Sequence, residues 1–115
     1  MTTAVAYVPK RGDIVWLTFE PQAGREQTGR RPALVISPTT YNERVGLAIV
    51  CPITTQAKGY PFEVPLPTDL AVRGVVLTDH VKNLDWRARR AELASQVPSA
   101  TLDEVVAKIL TLVGS

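Results

Sequence analysis

The sequence of 115 residues has few of the side chains that bind metals or form disulfides, because Cys51 is its only cysteine and His80 its only histidine. A structural zinc site needs about four such ligands, so the composition excludes one. A lone cysteine also excludes a disulfide within the chain, which favours a reducing compartment. No glycine motif for phosphate or dinucleotide binding is present. We therefore expect no cofactor and no metal, and any catalysis must depend mainly on arginine, lysine, hydroxyl and carboxylate groups.

Long apolar runs are also absent. The longest, residues 45–53, is interrupted by Gly46 and Pro52 and is far shorter than the roughly 20 apolar residues that span a bilayer. The first residues do not combine a basic segment with an apolar one, as a signal peptide does. The sequence therefore predicts a cytoplasmic protein with no membrane segment.

The remaining composition is that of a globular domain, with 45% hydrophobic and 21% charged residues. Since domains typically have about 100–150 residues, the length predicts one domain over residues 1–115. The net charge of +2 is unevenly distributed, with +4 in residues 1–90 and −2 in residues 91–115. This basic body is compatible with an anionic partner such as a nucleic acid.

Short β-branched and apolar stretches, separated by glycine and proline turns, predict strands through most of the chain. The predicted strands are residues 12–19, 32–37, 47–53, 62–66, 74–78 and 89–97. Pro65 lies inside the fourth of these strands and places it at a sheet edge or a bulge. Five to six strands at such short intervals predict a small antiparallel barrel.

The C-terminal residues predict a helix instead. Apolar residues at positions 102, 105, 106, 109, 110 and 113 lie on one helical face. Thr101 and Glu104 have the spacing of a capping box, with Thr101 as the N-cap residue, and Gly114 stands where a left-handed residue often ends a helix. The predicted fold class is therefore mainly β, a small barrel with one amphipathic C-terminal helix packed on it.

A polar segment at residues 20–31 separates the first two predicted strands and has no periodicity. Loops of this length are uncommon in compact domains and are often functional. The segment includes the run Gly-Arg-Glu-Gln-Thr-Gly-Arg-Arg at residues 24–31. We therefore expect it to contribute to a functional site.

Three stretches of the chain together resemble one protein family. They are Gly-Arg-Glu-Gln-Thr-Gly-Arg-Arg-Pro-Ala-Leu-Val-Ile-Ser-Pro at 24–38, Pro-Ile-Thr-Thr-Gln-Ala-Lys-Gly-Tyr-Pro-Phe at 52–62, and Val-Leu-Thr-Asp-His-Val-Lys-Asn-Leu-Asp-Trp-Arg-Ala-Arg at 76–89. In this order they closely resemble the MazF/PemK/Kid toxins of type II toxin–antitoxin systems. The resemblance extends from Tyr7 to the terminal helix.

This resemblance implies an SH3-like barrel of the CcdB/PemK type that forms a homodimer. It implies an mRNA interferase, which cuts single-stranded RNA at short sequences without a metal or a ribosome and leaves a 2′,3′-cyclic phosphate and a 5′-hydroxyl. A cognate MazE-like antitoxin with an acidic, disordered segment would block the RNA groove and relieve the arrest of translation and growth. A cleavage word containing ACA is suggested only by likeness to the relatives.

The same resemblance assigns catalytic roles to three residues. Arg31 matches the family's catalytic arginine, and a guanidinium is always charged and can hold two phosphate oxygens. Thr54, the first threonine of Pro-x-Thr-Thr, can donate to a phosphoryl oxygen, although a turn threonine also commonly bonds its own backbone. Glu26 in the polar segment is the candidate general base, and His80 is the alternative.

Other residues are candidates for binding RNA. Gln27 can bond a base edge, and Arg30 is an auxiliary phosphate contact. Lys58 lies two residues before Tyr60, and a cation beside an aromatic ring combines phosphate binding with a surface for base stacking.

The third motif adds Lys82 and Arg87, which the resemblance places beside the RNA groove. Their charge alone also fits residues on a solvated surface. Trp16 and Trp86 are large apolar rings and are predicted to lie in the core or in a dimer interface.

Two other functions compete with the endoribonuclease. Toxins of the CcdB type, which poison DNA gyrase, resemble this architecture but act through a C-terminal tail that carries tryptophan, and residues 110–115 contain none. A non-catalytic SH3-like module would bind RNA without cutting it. Arg31 and Thr54 would have no purpose in a gyrase poison, and incubation with a long single-stranded RNA separates the binding module from the endoribonuclease, which is the favoured function.

Overall fold

The computed structural model describes residues 6–19 and 29–114, which form an antiparallel sheet with two helices. The elements are β1 (Asp13–Thr18), β2 (Arg30–Val35), α1 (Thr39–Val45), β3 (Leu47–Thr54), β4 (Glu63–Pro65), β5 (Val75–Leu77), β6 (Lys82–Asp85), β7 (Glu92–Gln96) and α2 (Ser99–Val113). The order across the sheet is β4-β5-β3-β2-β1-β7, and β6 also pairs with β3. Neither α1 nor α2 is long and apolar enough to cross a membrane.

The central strand is β3, which pairs with three other strands. Residues 50–52 of β3 pair with residues 33–35 of β2 on one side. On the other side, residues 47–50 pair with β6 and residues 53–54 pair with β5. Since β3 contacts so much of the sheet, its final residue, Thr54, lies on a well-anchored backbone.

Alternate residues of the central strands point to opposite faces of the sheet and enter two hydrophobic clusters. The first cluster, which α2 covers through Val105, contains Ile14, Leu34, Cys51, Ile53, Val64, Leu66, Val72, Val76 and Val105. The second contains Val15, Leu17, Ala33, Val35, Ala48, Val50 and Trp86. Because both faces are covered, the strand ends and the loops remain for a functional site.

Buried hydrogen bonds attach α1 to the sheet. The Asn42 side chain is fully buried, and its Nδ2 donates to the carbonyls of Pro9 and Ser37 at 2.8 and 3.1 Å. Its backbone carbonyl accepts a hydrogen bond from Trp86 Nε1 at 2.8 Å. Because a buried polar group without its partner costs about 1–3 kcal/mol, these contacts fix α1 and the Trp86 ring together.

The predicted fold class is confirmed, with one strand more than expected. The described strands leave the sheet open, an arrangement compatible with a barrel-like fold. The additional strand, β6, has the polar sequence Lys-Asn-Leu-Asp and forms because it pairs with β3. Pro65 lies in β4 at the sheet edge, as expected.

The short helix α1 was not expected from the sequence. It contains seven residues between Pro38 and Gly46, too few for a clear helical period. Pro38 is the residue before its first turn, and Gly46 adopts a φ of 80° after its last. These two residues are the sequence signals typical of helix ends.

The predicted beginning of α2 was wrong, whereas its predicted end at Gly114 is confirmed. The helix begins at Ser99 after Pro98, and no side chain caps it, so Thr101 is not the N-cap residue. At the other end, α2 stops at Val113 and Gly114 is the C-cap residue, but Gly114 is not left-handed. Gly114 has a φ of −96° and its N–H donates to the Leu110 carbonyl at 2.7 Å. This bond continues the helical pattern, so the chain needs no left-handed residue at this point.

The buried thiol of Cys51 should make the folded protein less stable at alkaline pH. Burial of the thiol and, to a lesser extent, the Asp79 carboxylate raise the pKa of Cys51 from 9.0 to about 12. Between these pH values the unfolded chain releases a proton that the folded chain keeps. The free energy of unfolding should therefore be unaffected by this thiol below pH 9 and fall by up to about 1.4 kcal/mol per pH unit above it.

The measurement is urea unfolding, between pH 8 and about 11, of a Tyr7→Phe protein and of the same protein with Cys51→Ala added. Tyr7 is replaced in both because burial and Asp13 also raise its pKa. The cysteine-free protein should lose less stability per pH unit in this range. Equal pH dependence in the two proteins would contradict the prediction.

Candidate active site

A surface cleft of about 700 Å³ lies at the sheet edge where β2 begins and β3 ends. It brings together residues from the first strand, the three sequence motifs and the segment before β5. The lining residues are Trp16, Arg31, Pro32, Ile53, Thr54, Thr55, Gln56, Lys58, Tyr60, Glu63, Ala71, Val72, Arg73, Leu77, Asp79 and His80. Both catalytic candidates on described residues, Arg31 and Thr54, are in this set.

The pairing of β2 with β3 brings Arg31 and Thr54 to the same edge. Ala33 pairs with Pro52, and continuing this antiparallel register by two residues places Arg31 opposite Thr54. Opposite residues on neighbouring strands are close enough for their side chains to interact. Arg31 is exposed and Thr54 partly exposed, so both can meet one substrate group.

Two local contacts hold Thr54. Gly74 has a φ of +124°, and a Cβ atom there would lie 2.2 Å from the Thr54 carbonyl oxygen, so glycine is required for this close approach. The Thr54 hydroxyl oxygen accepts a hydrogen bond from the Gln56 N–H at 3.1 Å. This is the backbone bond typical of a turn threonine, and it leaves the hydroxyl proton available for donation.

The cleft also contains the predicted RNA contacts Lys58 and Tyr60. Both residues are exposed, and 58% of the Tyr60 surface is accessible. A ring accessible to this extent can stack on a base, and a lysine can contact the neighbouring phosphate. The structure thus places an exposed aromatic ring and a lysine in the same cleft as Arg31 and Thr54; their contact with RNA stays a prediction.

The third motif contributes Asp79 and His80 to the cleft. His80 Nε2 lies 3.7 Å from Asp79 Oδ1, and both side chains are partly exposed. The imidazole is therefore positioned in the same cleft as Arg31, as the alternative base requires. Among residues 6–19 and 29–114, no group of three histidine, cysteine or acidic side chains is arranged to bind a metal.

The cleft includes residues whose placement the sequence did not reveal. Trp16 is 37% exposed and lines the cleft, so it does not lie in the core, and its place in a dimer interface stays a prediction. Trp86 is buried in the core as predicted. Arg73 adds a cation to the wall, and its only sequence signal is its position before Gly74. Glu63 was not singled out either, because its role depends on a loop contact.

Arg30 is not among the residues that line the cleft. Its guanidinium donates to Thr18 Oγ1 and to the carbonyls of Arg89 and Arg90, and it pairs with Glu92 at 3.0 Å. These contacts hold the beginning of β2 against β1 and β7. Contact of Arg30 with phosphate stays a prediction.

Lys82 and Arg87 are also separate from the cleft lining. Lys82 is exposed at the start of β6, and the Arg87 guanidinium stacks 4.5 Å from the centre of the Trp86 ring. Glu26 and Gln27 lie outside the described residues. The roles of these four residues stay predictions.

Residues 10–113 match the family described as the PemK-like, MazF-like toxins of type II toxin–antitoxin systems. The chain belongs to this family. It is 47% identical over 108 residues to the endoribonuclease toxin MazF of Escherichia coli K12, covering 94% of this chain and 96% of that protein. It is 37% identical over 109 residues to the endoribonuclease toxin ChpB of the same strain, covering 90% and 93%.

Solved structures of the MazF family have the same fold. A MazE–MazF crystal structure from Deinococcus radiodurans matches with a TM-score of 0.89 and 58% identity, and covers 95% of this chain and 98% of that one. MazF alone from the same organism gives a TM-score of 0.86 and 57% identity, with 96% and 100% covered. The resemblance in the three sequence motifs is therefore confirmed at the level of family and fold.

The close approach of Gly74 to the Thr54 carbonyl predicts that a methyl group added at Gly74 strongly destabilises the fold. Gly74→Ala should reduce the free energy of unfolding by about 2 kcal/mol or more, because the new Cβ would force the Thr54 carbonyl away from β5. RNA cleavage should fall as well, since Thr54 moves with its backbone. Urea unfolding and cleavage rates, measured where the variant is folded, test both effects.

Gly59→Ala is the matched control for this substitution. Gly59 also has a positive φ, of +80°, but a Cβ atom there would meet nothing within 4 Å. It should therefore cost about 1 kcal/mol, from the backbone conformation alone. Equal destabilisation by the two substitutions would contradict the requirement for close approach at Thr54.

Proposed function

We propose that this chain is an endoribonuclease toxin, an mRNA interferase that cleaves single-stranded RNA at short sequences. The observation that supports it most is the meeting of Arg31 and Thr54 in one cleft of a MazF-family chain. The relatives from Escherichia coli are endoribonuclease toxins, and the Deinococcus radiodurans relative forms a MazE–MazF complex. A cognate MazE-like antitoxin is accordingly the proposed protein partner of this chain.

In the proposed reaction, the 2′-hydroxyl oxygen attacks the adjacent phosphorus and the bond to the 5′-oxygen of the next nucleotide breaks. The 2′-hydroxyl proton passes to a base, and the departing oxygen takes up a proton to become a 5′-hydroxyl. The other product is a 2′,3′-cyclic phosphate. This chemistry draws its nucleophile from the RNA, so the protein needs to orient the phosphate and stabilise its developing charge.

Arg31 is suited to stabilise the pentavalent phosphorane rather than to move protons. Its planar guanidinium can donate two hydrogen bonds to the phosphoryl oxygens, and it has no lone pair with which to accept a proton. Thr54 adds a neutral donor from the opposite strand. The base is then Glu26 or His80, of which His80 lines the cleft.

Substrate binding is proposed to use the aromatic and cationic cleft residues. Tyr60 can stack on a base, and Lys58 can neutralise a phosphate next to it. Recognition of a particular word requires contacts to base edges, for which Gln27 is a candidate. Arg30, Lys82 and Arg87 are proposed as more distant phosphate contacts.

The proposed toxin is a single domain of residues 1–115 that forms a homodimer in the cytoplasm. Large apolar side chains are exposed near the end of α2, including Leu110, Leu112 and Val113. Such surface is commonly covered in oligomers, most often in two-fold dimers. One chain has a mass of 12.5 kDa, and equilibrium sedimentation should then give twice this mass.

Incubation of the purified protein with a long single-stranded RNA in excess EDTA tests the proposed function. We expect discrete fragments with 5′-hydroxyl ends, because arginine and the 2′-hydroxyl supply the chemistry without a metal. A single 2′-deoxynucleotide on the 5′ side of the cut should abolish cleavage at that site. A matched RNA with the deoxynucleotide elsewhere should be cut normally.

Three outcomes would contradict this function. Cleavage that is lost in EDTA and restored by Mg²⁺ would point to a metal-dependent nuclease. Retention of RNA without cleavage would favour the binding module. Inhibition of DNA gyrase without any effect on RNA would favour a toxin of the CcdB type.

A further inference from the structure

We propose that Glu63 is a positioning residue that shapes the loop of residues 55–61, here called the cleft loop, and thereby determines which RNA sequences are cut. This inference rests on the proposed endoribonuclease function. The cleft loop includes Lys58 and Tyr60, which line the same cleft as Arg31 and Thr54. Its conformation therefore decides where a base and its phosphate lie relative to the reacting groups.

The Glu63 carboxylate binds the tip of the cleft loop through backbone groups. It accepts hydrogen bonds from the Lys58 N–H at 3.2 Å to Oε1 and 3.0 Å to Oε2. It also accepts one from the Gly59 N–H at 3.0 Å to Oε1. Successive backbone N–H groups that point at one anion form a concave anion-binding site, typically with a left-handed residue in the turn. Gly59, with its positive φ, is such a residue.

Glu63 is itself held on the sheet. It is the first residue of β4, where it pairs with Leu77 of β5, and its N–H donates to the Tyr60 carbonyl at 3.1 Å. Glu63 thus forms hydrogen bonds to three consecutive residues of the cleft loop. Its side chain bonds Lys58 and Gly59, and its backbone N–H bonds Tyr60. The strand transmits its fixed position to the loop tip.

The end of the cleft loop at Pro61, and Phe62 directly after it, have separate anchors. The buried Thr78 hydroxyl donates to the Phe62 carbonyl at 2.6 Å, and Lys108 Nζ of α2 donates to the Pro61 carbonyl. These contacts do not depend on the Glu63 side chain. Removal of the carboxylate should therefore loosen the tip, at Lys58 and Gly59, while the loop stays attached to the sheet and to α2.

A positioning role and a purely electrostatic role predict opposite results. Arg31, Lys58 and Arg73 make the cleft attractive to RNA phosphates, and a carboxylate among them repels phosphate. If Glu63 acted only through its charge, its removal would strengthen RNA binding. If it positions the loop, its removal weakens binding and relaxes the choice of sequence.

The experiment compares Glu63→Ala and Glu63→Gln with Glu43→Ala and Glu43→Gln. Glu43 is exposed on α1 and does not line the cleft, so its variants lose the same charge elsewhere. For each protein, kcat and KM are measured on an RNA oligonucleotide with one wild-type cleavage site. The cleavage sites on a long RNA are then mapped by primer extension.

Glu63→Ala should raise KM about tenfold, at the low end of what loss of hydrogen bonds to a charged group costs, and change kcat less than about twofold. It should also cut the long RNA at additional sites. Glu63→Gln keeps one acceptor oxygen, so its KM and its cleavage pattern should lie between those of Glu63→Ala and the original chain. Both Glu43 variants should behave as the original chain does.

A lower KM with unchanged cleavage sites in both Glu63 variants would overturn the positioning role and favour charge repulsion. A fall in kcat with unchanged KM would overturn it in favour of a catalytic role. If Glu63→Ala unfolds, Glu63→Gln still tests the positioning role, because amide hydrogen exchange at Lys58 and Gly59 should be faster in it than in Glu43→Gln. Equal exchange rates in these two variants would overturn the role of the Glu63 contact with the loop. Absence of cleavage by the original chain would contradict the proposed function instead.

Discussion

The antiparallel register between β2 and β3 is the constraint on which the candidate active site depends. The last pair of this register is Ala33 with Pro52, and its continuation by two residues places Arg31 opposite Thr54, although 22 residues lie between them in the chain. The buried residues specify this register, because Ala33 and Val35 enter one hydrophobic cluster and Leu34 enters the other. A slip of one residue would exchange these faces and would also move Arg31 away from Thr54.

The cleft combines rigid and adjustable parts. Arg31 and Thr54 are on paired strands, and the close approach of Gly74 further restricts the Thr54 backbone. Lys58 and Tyr60 are on a loop whose tip is held by hydrogen bonds from two of its backbone N–H groups to the Glu63 carboxylate. Phosphate chemistry requires fixed geometry, whereas base recognition can vary with the loop.

Local sequence patterns were sufficient for six of the strands and for the existence of α2, because each has its own run of β-branched residues or its own helical period. They missed β6, whose polar residues form a strand only through pairing with β3. The resemblance of the motifs singled out Arg31 and Thr54, which the fold brings to one cleft; their catalytic roles stay predictions. Glu63 and Trp16 were missed because their roles arise from contacts between segments distant in sequence.

A double-mutant cycle of Arg31→Ala and Thr54→Ala tests most directly whether these residues act on the same phosphate. Under single-turnover conditions each substitution should slow cleavage by about 10²–10³-fold with little change in the thermal melt. The double variant should be only slightly slower than the worse single variant, because the two residues act as a unit. Arg31→Lys should recover little, since a point charge does not replace a planar fork. Losses that simply multiply in the double variant would contradict a shared phosphate site.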